Sequence, residues 1–312
     1  MKKKIFLTIS FLIILDASLT YAATGDGGYA AAFSRMGLGA RALGMGGAFV
    51  AVADDGFASS FNPAGLVQLK QHIFSASYRF MSLDRKLSYV SYQQSIKGGA
   101  GVGLYWINSG VGNVETRDYE GKVTGELNNH ENLVNFNFAK RIINIFSAGL
   151  NIKYSQSNLA VLNANTVGFD LGVLFTPYEK IRIGLAAENI GMNYSWNSGK
   201  YWQESDQIGT DTKENFPLNF KLGGSYLLLK DKLLVSAQVD KNDKQAARAH
   251  FGAEYSGFKY LAGRLGYNDG SFTFGFGINY KVKSITFGLD YAFISSQVGT
   301  NPDNLVSMGI EF

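Results

Sequence analysis

SFTFGFGINY, residues 271–280, is the stretch that decides the fold of this 312-residue chain. Phe272, Phe274, Phe276, Ile278 and Tyr280 alternate with Ser271, Thr273, Gly275, Gly277 and Asn279. Successive side chains of a strand point to opposite faces, so one face is bulky and apolar while the other is small and polar. The next run repeats the pattern, with Ile285, Phe287, Leu289, Tyr291 and Phe293 set against Ser284, Thr286, Gly288, Asp290 and Ala292. Upstream, Val134, Phe136 and Phe138 alternate with Asn135 and Asn137, and Val167, Phe169, Leu171, Val173 and Phe175 with Thr166, Gly168, Asp170 and Gly172. Ala148, Leu150, Ile152 and Tyr154 oppose Ser147, Gly149, Asn151 and Lys153, and Ala249, Phe251, Ala253 and Tyr255 oppose Arg248, His250, Gly252 and Glu254.

Fourteen such segments begin near residues 72, 86, 99, 131, 146, 165, 180, 217, 232, 247, 258, 271, 283 and 304, the second of them (KLSYVSYQQS) alternating poorly. That is about 17 residues per strand and connection, which suits strands of ~9–11 residues tilted through a bilayer. Connections at Asn268-Asp269-Gly270, Val282-Lys283 and Gly257 are tight, whereas 108–130, 191–215 and 294–303 are long and polar. Short turns at one end and long loops at the other suit an outer-membrane barrel, and an even strand count suits its closure. A soluble β-sandwich would instead bury the aromatic face as a shared core. The number of aromatic faces, and Val306, Met308, Ile310 and Phe312 alternating up to a terminal aromatic, favour the barrel. The expected fold class is all-β, a transmembrane antiparallel β-barrel of about fourteen strands, its outer face toward outer-membrane lipid. Tyr78, Phe80, Trp106, Tyr154, Tyr226, Tyr267 and Tyr291 are candidates for aromatic girdles at the membrane surfaces.

Composition agrees. The chain has 37 Gly, 17 Tyr and 23 Phe against 4 Pro, and no cysteine. Disulfides and thiolate metal sites are therefore out. The chain opens MKKKIFLTISFLIILDASLTYAA: three lysines, an apolar run from Ile5 to Leu15, then small residues at Ala22 and Ala23. This predicts a secretory signal over residues 1–22, too short to span a membrane. Its removal takes Lys2, Lys3, Lys4 and Asp16, so the formal charge falls from +4 by two. A balance so near neutrality implies no nucleic-acid partner.

A barrel of this size encloses more space than its own side chains fill, and left empty it is a water channel. GARALGMGGAFVAVADDGFASSFNPAGL, residues 39–66, precedes the first strand and is rich in Gly and Ala. Small residues suit close packing on inward wall glycines. Arg41, Asp54 and Asp55 are expected to pair with lumen charges such as Arg79, Lys153, Asp170, Arg182 and Glu188, because unpaired charge in a confined interior is costly. Arg248, Glu254, Arg264 and Asp290 are further inward-facing charges.

GARALGMGGAFVAVADD followed by FNPAGL resembles the amino-terminal hatch signature of the PorV/PorQ family, related to the FadL-like outer-membrane transporters. Gly39, Arg41, Gly44, Gly46, Gly47, Asp54, Asp55 and the Asn62-Pro63-Ala64 motif carry it. The resemblance implies a hatch over residues 23–70 inside a barrel formed by 71–312. For the FadL branch it implies passage of fatty-acid-like or other hydrophobic molecules, through a pocket beside the hatch and a side opening at an inward-bent strand. Polar groups near Asn62 and Arg41 would orient a head group. Gly98, Gly99, Gly101 and Gly103 suit such a bend, or make room for the plug. For the PorV branch the resemblance implies accessory work with type IX secretion components. A purely structural outer-membrane role is the third alternative. Phe312 is the residue that the barrel-insertion machinery would read.

Enzymatic chemistry finds no footing in the sequence. GMGGAF lacks the spacing of a phosphate cradle, no serine sits in a nucleophile motif, and no cofactor is implied. His72, His130 and His250 lack metal-ligand spacing, and His250 is read as a lumen residue.

Overall fold

The computed structural model describes residues 29–199, 208–295 and 302–312, so the expected signal peptide at 1–22 lies outside the described residues. The described chain begins with a compact segment holding three short helices, α1 (Ala32–Arg35), α2 (Ala40–Gly44) and α3 (Ala58–Phe61), and a 3-10 helix, Pro63–Gln68. Strands follow in chain order: β1 (Ile73–Phe80), β2 (Arg85–Ile96), β3 (Ala100–Arg117), β4 (Val123–Ile143), β5 (Phe146–Leu159), β6 (Leu162–Tyr178), β7 (Ile181–Ile190), β8 (Asn193–Asn197) and β9 (Asp211–Asn215). After these come β10 (Asn219–Leu228), β11 (Leu233–Asn242), β12 (Arg248–Tyr255), β13 (Leu261–Asn268), β14 (Ser271–Val282), β15 (Ile285–Ile294) and β16 (Asp303–Glu311).

All but β8 and β9 form one closed, antiparallel barrel of fourteen strands, in which β7 pairs with β10 and β16 returns to β1. Closure leaves no sheet edge, the condition a strand wall must meet in hydrocarbon. The seam runs from Ile73↔Glu311 to Phe80↔Asn304. It is continued by His72 and Phe312, which exchange two backbone hydrogen bonds of 3.1 and 3.0 Å and stack their rings at 5.8 Å.

Alternation places the wall's two faces. Phe272, Phe274, Phe276, Leu289 and Leu171 are exposed on the outside, while Ser271, Thr273, Asp170, Gln238 and Arg264 are buried toward the lumen. The poor alternation of β2 has a local cause. Leu87 and Tyr89 face inward and are buried, Tyr89 against the Phe57 ring at 4.8 Å, so here the lumen face is the apolar one.

Two connections differ from expectation. The stretch 108–130 is mostly the far part of the β3–β4 hairpin, paired as far as Arg117↔Val123. In this part of the hairpin consecutive residues of β4 are exposed, so the ladder continues there without the alternation that marks a strand in sequence. Likewise 191–215 contains the β8–β9 pair, Asn193↔Asn215 to Asn197↔Asp211. Within 294–303, β15 ends at Ile294 and β16 begins at Asp303.

Of the two readings of Gly98, Gly99, Gly101 and Gly103, a bend or room for the enclosed segment, the local geometry favours the second. Gly98 and Gly99 form the β2–β3 turn with φ of +82° and +72°. From Ala100 to Val111, β3 pairs without interruption with both β2 and β4. Gly101 serves a close approach instead, since a Cβ there would lie 2.9 Å from the Leu66 Cβ.

Deleting Phe312 removes both hydrogen bonds that extend the seam, an expected loss of about 1–3 kcal/mol. The check is a urea titration of the folded band on unboiled gels, where the midpoint should fall and less barrel should be inserted.

Candidate functional site

The segment 29–69 is enclosed by the wall, with contacts from α2 to β13–β16 on one side and from the 3-10 helix to β2–β6 on the other. Local sequence shapes its fit. Asn62 is fully buried with its amide satisfied: Oδ1 accepts from Ala64 N at 3.0 Å, and Nδ2 donates to the carbonyls of Val50 (2.9 Å) and Val173 (3.0 Å). It caps the 3-10 helix that Pro63 opens with a preset φ. This corner sits on wall glycines. A Cβ on Gly172 would fall 2.2 Å from Asn62 Oδ1, and one on Gly149 would fall 2.4 Å from Ala64 N.

On the opposite wall Gly46, at φ +67°, donates from its N–H to Thr273 Oγ1 at 3.1 Å, and its carbonyl meets His250 Nδ1 at 3.0 Å. Its α-carbon lies so close to the wall that a Cβ would reach 2.4 Å from the Tyr267 carbonyl oxygen. Gly44 packs against Gly275, while Gly39 and Gly47 take positive φ at the ends of the turns around α2. Wall side chains that the sequence reading missed complete the fit. Gln238 Oε1 accepts from the backbone of Phe49 (2.9 Å) and Val50 (2.8 Å), Ser307 Oγ from Ala40 N (2.7 Å), and Tyr89, Ser91 and Gln93 all donate to Gly56 O. For Gln238 and Ser307 the only sequence signal is a polar residue at an inward position of an alternating strand, and on β2, which alternates poorly, there is none.

Arg41 is the hub of the charges. It grips Glu254 through two hydrogen bonds (Nε–Oε2 2.8 Å, Nη2–Oε1 2.9 Å) and binds Asp54 Oδ1 at 2.6 Å, with Asp55 Oδ2 at 3.5 Å. Arg182 takes the other oxygen of Asp54 at 3.0 Å, and Arg264 joins Glu254 (2.6 Å) to Asp290 (2.7 Å). Of the five wall charges first named as partners of the segment, only Arg182 reaches its charges. Lys153 pairs with Asp170 (2.7 Å) and Glu188 with Lys221 (2.6 Å), because these neighbours face one another across adjacent strands. Arg79 binds Asp303 at 2.7 Å and donates to Met36 O. Arg248 stands opposite Asp240 in the β11–β12 register. Burial by itself would lower the Arg41 guanidinium, but the carboxylates of Asp54 and Glu254 outweigh it and hold it well above its ordinary range. Burial raises Asp55 to about 6, against the pull of Arg41.

Two unlike spaces flank the segment. Toward the long connections, Phe33, Leu38, Phe49 and Phe61 pack with Tyr105, Ile107 and Leu133 of the wall, with Tyr194 of β8, and with Met192 and Phe216 that flank the β8–β9 pair. Tyr194 is 1% exposed within this cluster, its hydroxyl 2.7 Å from Ser155 Oγ. A cavity of about 20 Å³ remains between Leu38, Tyr105, Ile107, Leu133, Lys153 and Glu188, room for about one water. Toward the short turns, a cavity of about 360 Å³ lies between residues 54–57 and strands β1 and β12–β16. Among the described residues no group of three His, Asp or Glu side chains is placed to hold a metal ion.

The fold has solved counterparts. The toluene transporter TodX of Pseudomonas putida superposes with a TM-score of 0.61 at 13% identity over 88% of this chain and 97% of its own. The CymD monoaromatic hydrocarbon channel gives 0.61 at 14% identity, covering 88% and 98%, and a Pseudomonas aeruginosa FadL homologue gives 0.57 at 10%, covering 88% and 97%. The chain shares the fold of these barrels. No family model matches its sequence, and no curated protein matches it.

Arg41→Ala leaves Asp54 and Glu254 with one cation each inside the barrel, and a broken buried pair typically costs about 3–5 kcal/mol. The lower half of that range is expected here because Arg182 and Arg264 remain. Thermal unfolding in detergent should show the loss, and planar-bilayer recordings should show raised conductance as the segment loosens. For Asp55 the folded pKa lies above the ordinary 3.8. The stability it contributes is therefore full below about pH 4 and lost as pH rises through about 6. Asp55→Asn should raise the thermal midpoint at about pH 8 and leave it nearly unchanged at about pH 4.

Proposed function

We propose that the protein is an outer-membrane barrel that binds hydrophobic small molecules in its lumen and passes them beyond a hatch formed by residues 23–70. The export signal would be residues 1–22, the wall 71–312, and Phe312 part of what the insertion machinery recognises. The observation that carries this reading is the apolar space of Leu38, Phe61, Tyr105, Ile107 and Leu133 beside Tyr194, inside a wall whose solved counterparts include a toluene transporter and a monoaromatic hydrocarbon channel. A porin would need water there. Transport is preferred to secretion-accessory work because this apolar part of the lumen suits an oily guest better than a polar polypeptide.

In this mechanism a guest enters past Tyr194 and displaces Phe33 and Leu38, gaining ~25 cal/mol per Å² of apolar area buried. The remaining cavity is too small for it, so residues 29–38 must move while the closed ladder stays rigid. Lys153 and Glu188 at the edge of that cavity would meet a polar head group. A lateral exit fits β6–β7 better than β3. There the ladder skips between Phe169↔Ile190 and Leu171↔Ala187, and the outer wall carries a groove of about 350 Å³ lined by Leu171, Val173, Leu185 and Ala187.

Native mass spectrometry of the membrane-extracted protein, followed by organic extraction, tests the reading. A fatty acid or hydrocarbon should co-purify, and Leu133→Asn should lose it while keeping the heat-modifiable gel band. A bound exported polypeptide, or an empty barrel that takes up neither fatty acids nor monoaromatics, overturns it.

A further inference from the structure

The cavity at the short-turn end has more acid than base. Asp54, Asp55, Glu254, Asp290 and Glu311 line it with only Arg41 and Arg264. Both guanidiniums are already engaged, Arg41 by Glu254 and Asp54, Arg264 by Glu254 and Asp290. Two carboxylates are left under-compensated. Asp55 has its nearest cationic atom at 3.5 Å, and Glu311 makes no ion pair among the described residues. A second observation is independent of the acids. Ser75 is 2% exposed and lines the same cavity, and its hydroxyl has no hydrogen-bond partner among the described residues. Phe57, Ile73 and Ala262 supply apolar wall between these groups.

A volume of about 360 Å³ lies in the range of small-molecule sites, about 300–1,000 Å³, and far exceeds what a bare ion needs. The net negative lining repels anions, and the absence of a three-ligand group among the described residues disfavours a metal. We propose that this cavity binds an organic ammonium ion, a primary amine on a small apolar body. The ammonium carries donors only, matching the carboxylates and the Ser75 oxygen. The body lies against Phe57 and Ala262. This site goes beyond the hydrophobic path proposed above, which lies on the other side of the segment, and it opens toward the end of the barrel where both β1 and β16 have their outer termini.

Asp55 faces Arg41, Asp54 and Asp290 and accepts from Phe57 N at 2.9 Å; Glu254, Arg264 and Glu311 line the same space. With Asp55 raised to about 6, it is ionised and ready for a cation above that pH and neutral below it.

Equilibrium dialysis of the mature protein in micelles, against micelles alone, with benzylammonium, benzyl alcohol and benzoate as probes separates charge from shape. At about pH 8, benzylammonium should bind roughly tenfold more tightly than benzyl alcohol, and benzoate should not exceed the micelle control. Binding should weaken at about pH 5, as Asp55 takes up a proton. Asp55→Asn and Glu311→Gln should each weaken binding several-fold while the folded gel band persists. Equal retention of the three probes by the unaltered protein overturns the proposal, whatever the variants do, and so does benzylammonium binding that survives both substitutions. Neither outcome bears on the hydrophobic path, whose variant at Leu133 lies in the other space.

Discussion

A polypeptide wall in hydrocarbon has nowhere to leave an unpaired amide, since each one stranded there costs several kcal/mol. Everything else in this molecule follows from that requirement. The strands must pair all the way round, so the last strand must return to the first, and the His72–Phe312 exchange carries the seam to the final residue. Once the ladder is closed, backbone pairing fixes which residues share a height on the wall, and the pleat fixes which of them face inward. The lumen is thus a surface whose composition was written into alternate positions of fourteen strands.

A lumen of that size creates a second problem, and the enclosed segment answers it with two chemistries. Its Gly and Ala residues let the backbone touch the wall directly, as Gly46 does at Tyr267 and Asn62 does over Gly172. Close approach buries backbone N–H and C=O groups of an irregular segment, and these need partners that no ladder supplies. Gln238, Thr273, Ser307 and the Tyr89–Ser91–Gln93 set are wall side chains that serve the segment's backbone in this way. Arg41, Asp54 and Asp55 of the segment gather at one end, where Arg41 bridges Asp54 to the wall's Glu254. Toward the other end the segment presents Phe33, Leu38, Phe49 and Phe61 instead. The asymmetry gives one chain two different environments above and below a single short segment.

How much of this could be read beforehand depends on whether a feature repeats. Period-two alternation is local and recurs in strand after strand, so faces such as Phe272–Tyr280 and Val167–Phe175 were legible, and the strand starts lie close to the observed ones except at β4, expected near 131 and found at Val123. It failed where consecutive residues are exposed, as in the outer part of β3–β4, and where the lumen itself is apolar, as at Leu87 and Tyr89. The glycine-rich character of residues 39–66 was visible too, and so was the need to neutralise Arg41, Asp54 and Asp55.

What the sequence by itself determined is the class of wall, its even closure and the need for something inside it, because these follow from side-chain periodicity and from the cost of bare polar groups in lipid. Which charges meet was decided only by the tertiary structure. Lys153, Asp170 and Glu188 looked as suitable for the segment as Arg182 did, yet register sets them beside one another's partners on neighbouring strands and leaves Arg182 alone at the height of Asp54. The physical reason is that ion pairing depends on distances of a few ångströms between residues far apart in the chain. Those distances are fixed by strand register and by where the segment's glycines seat it, and neither is a property of any local stretch of sequence.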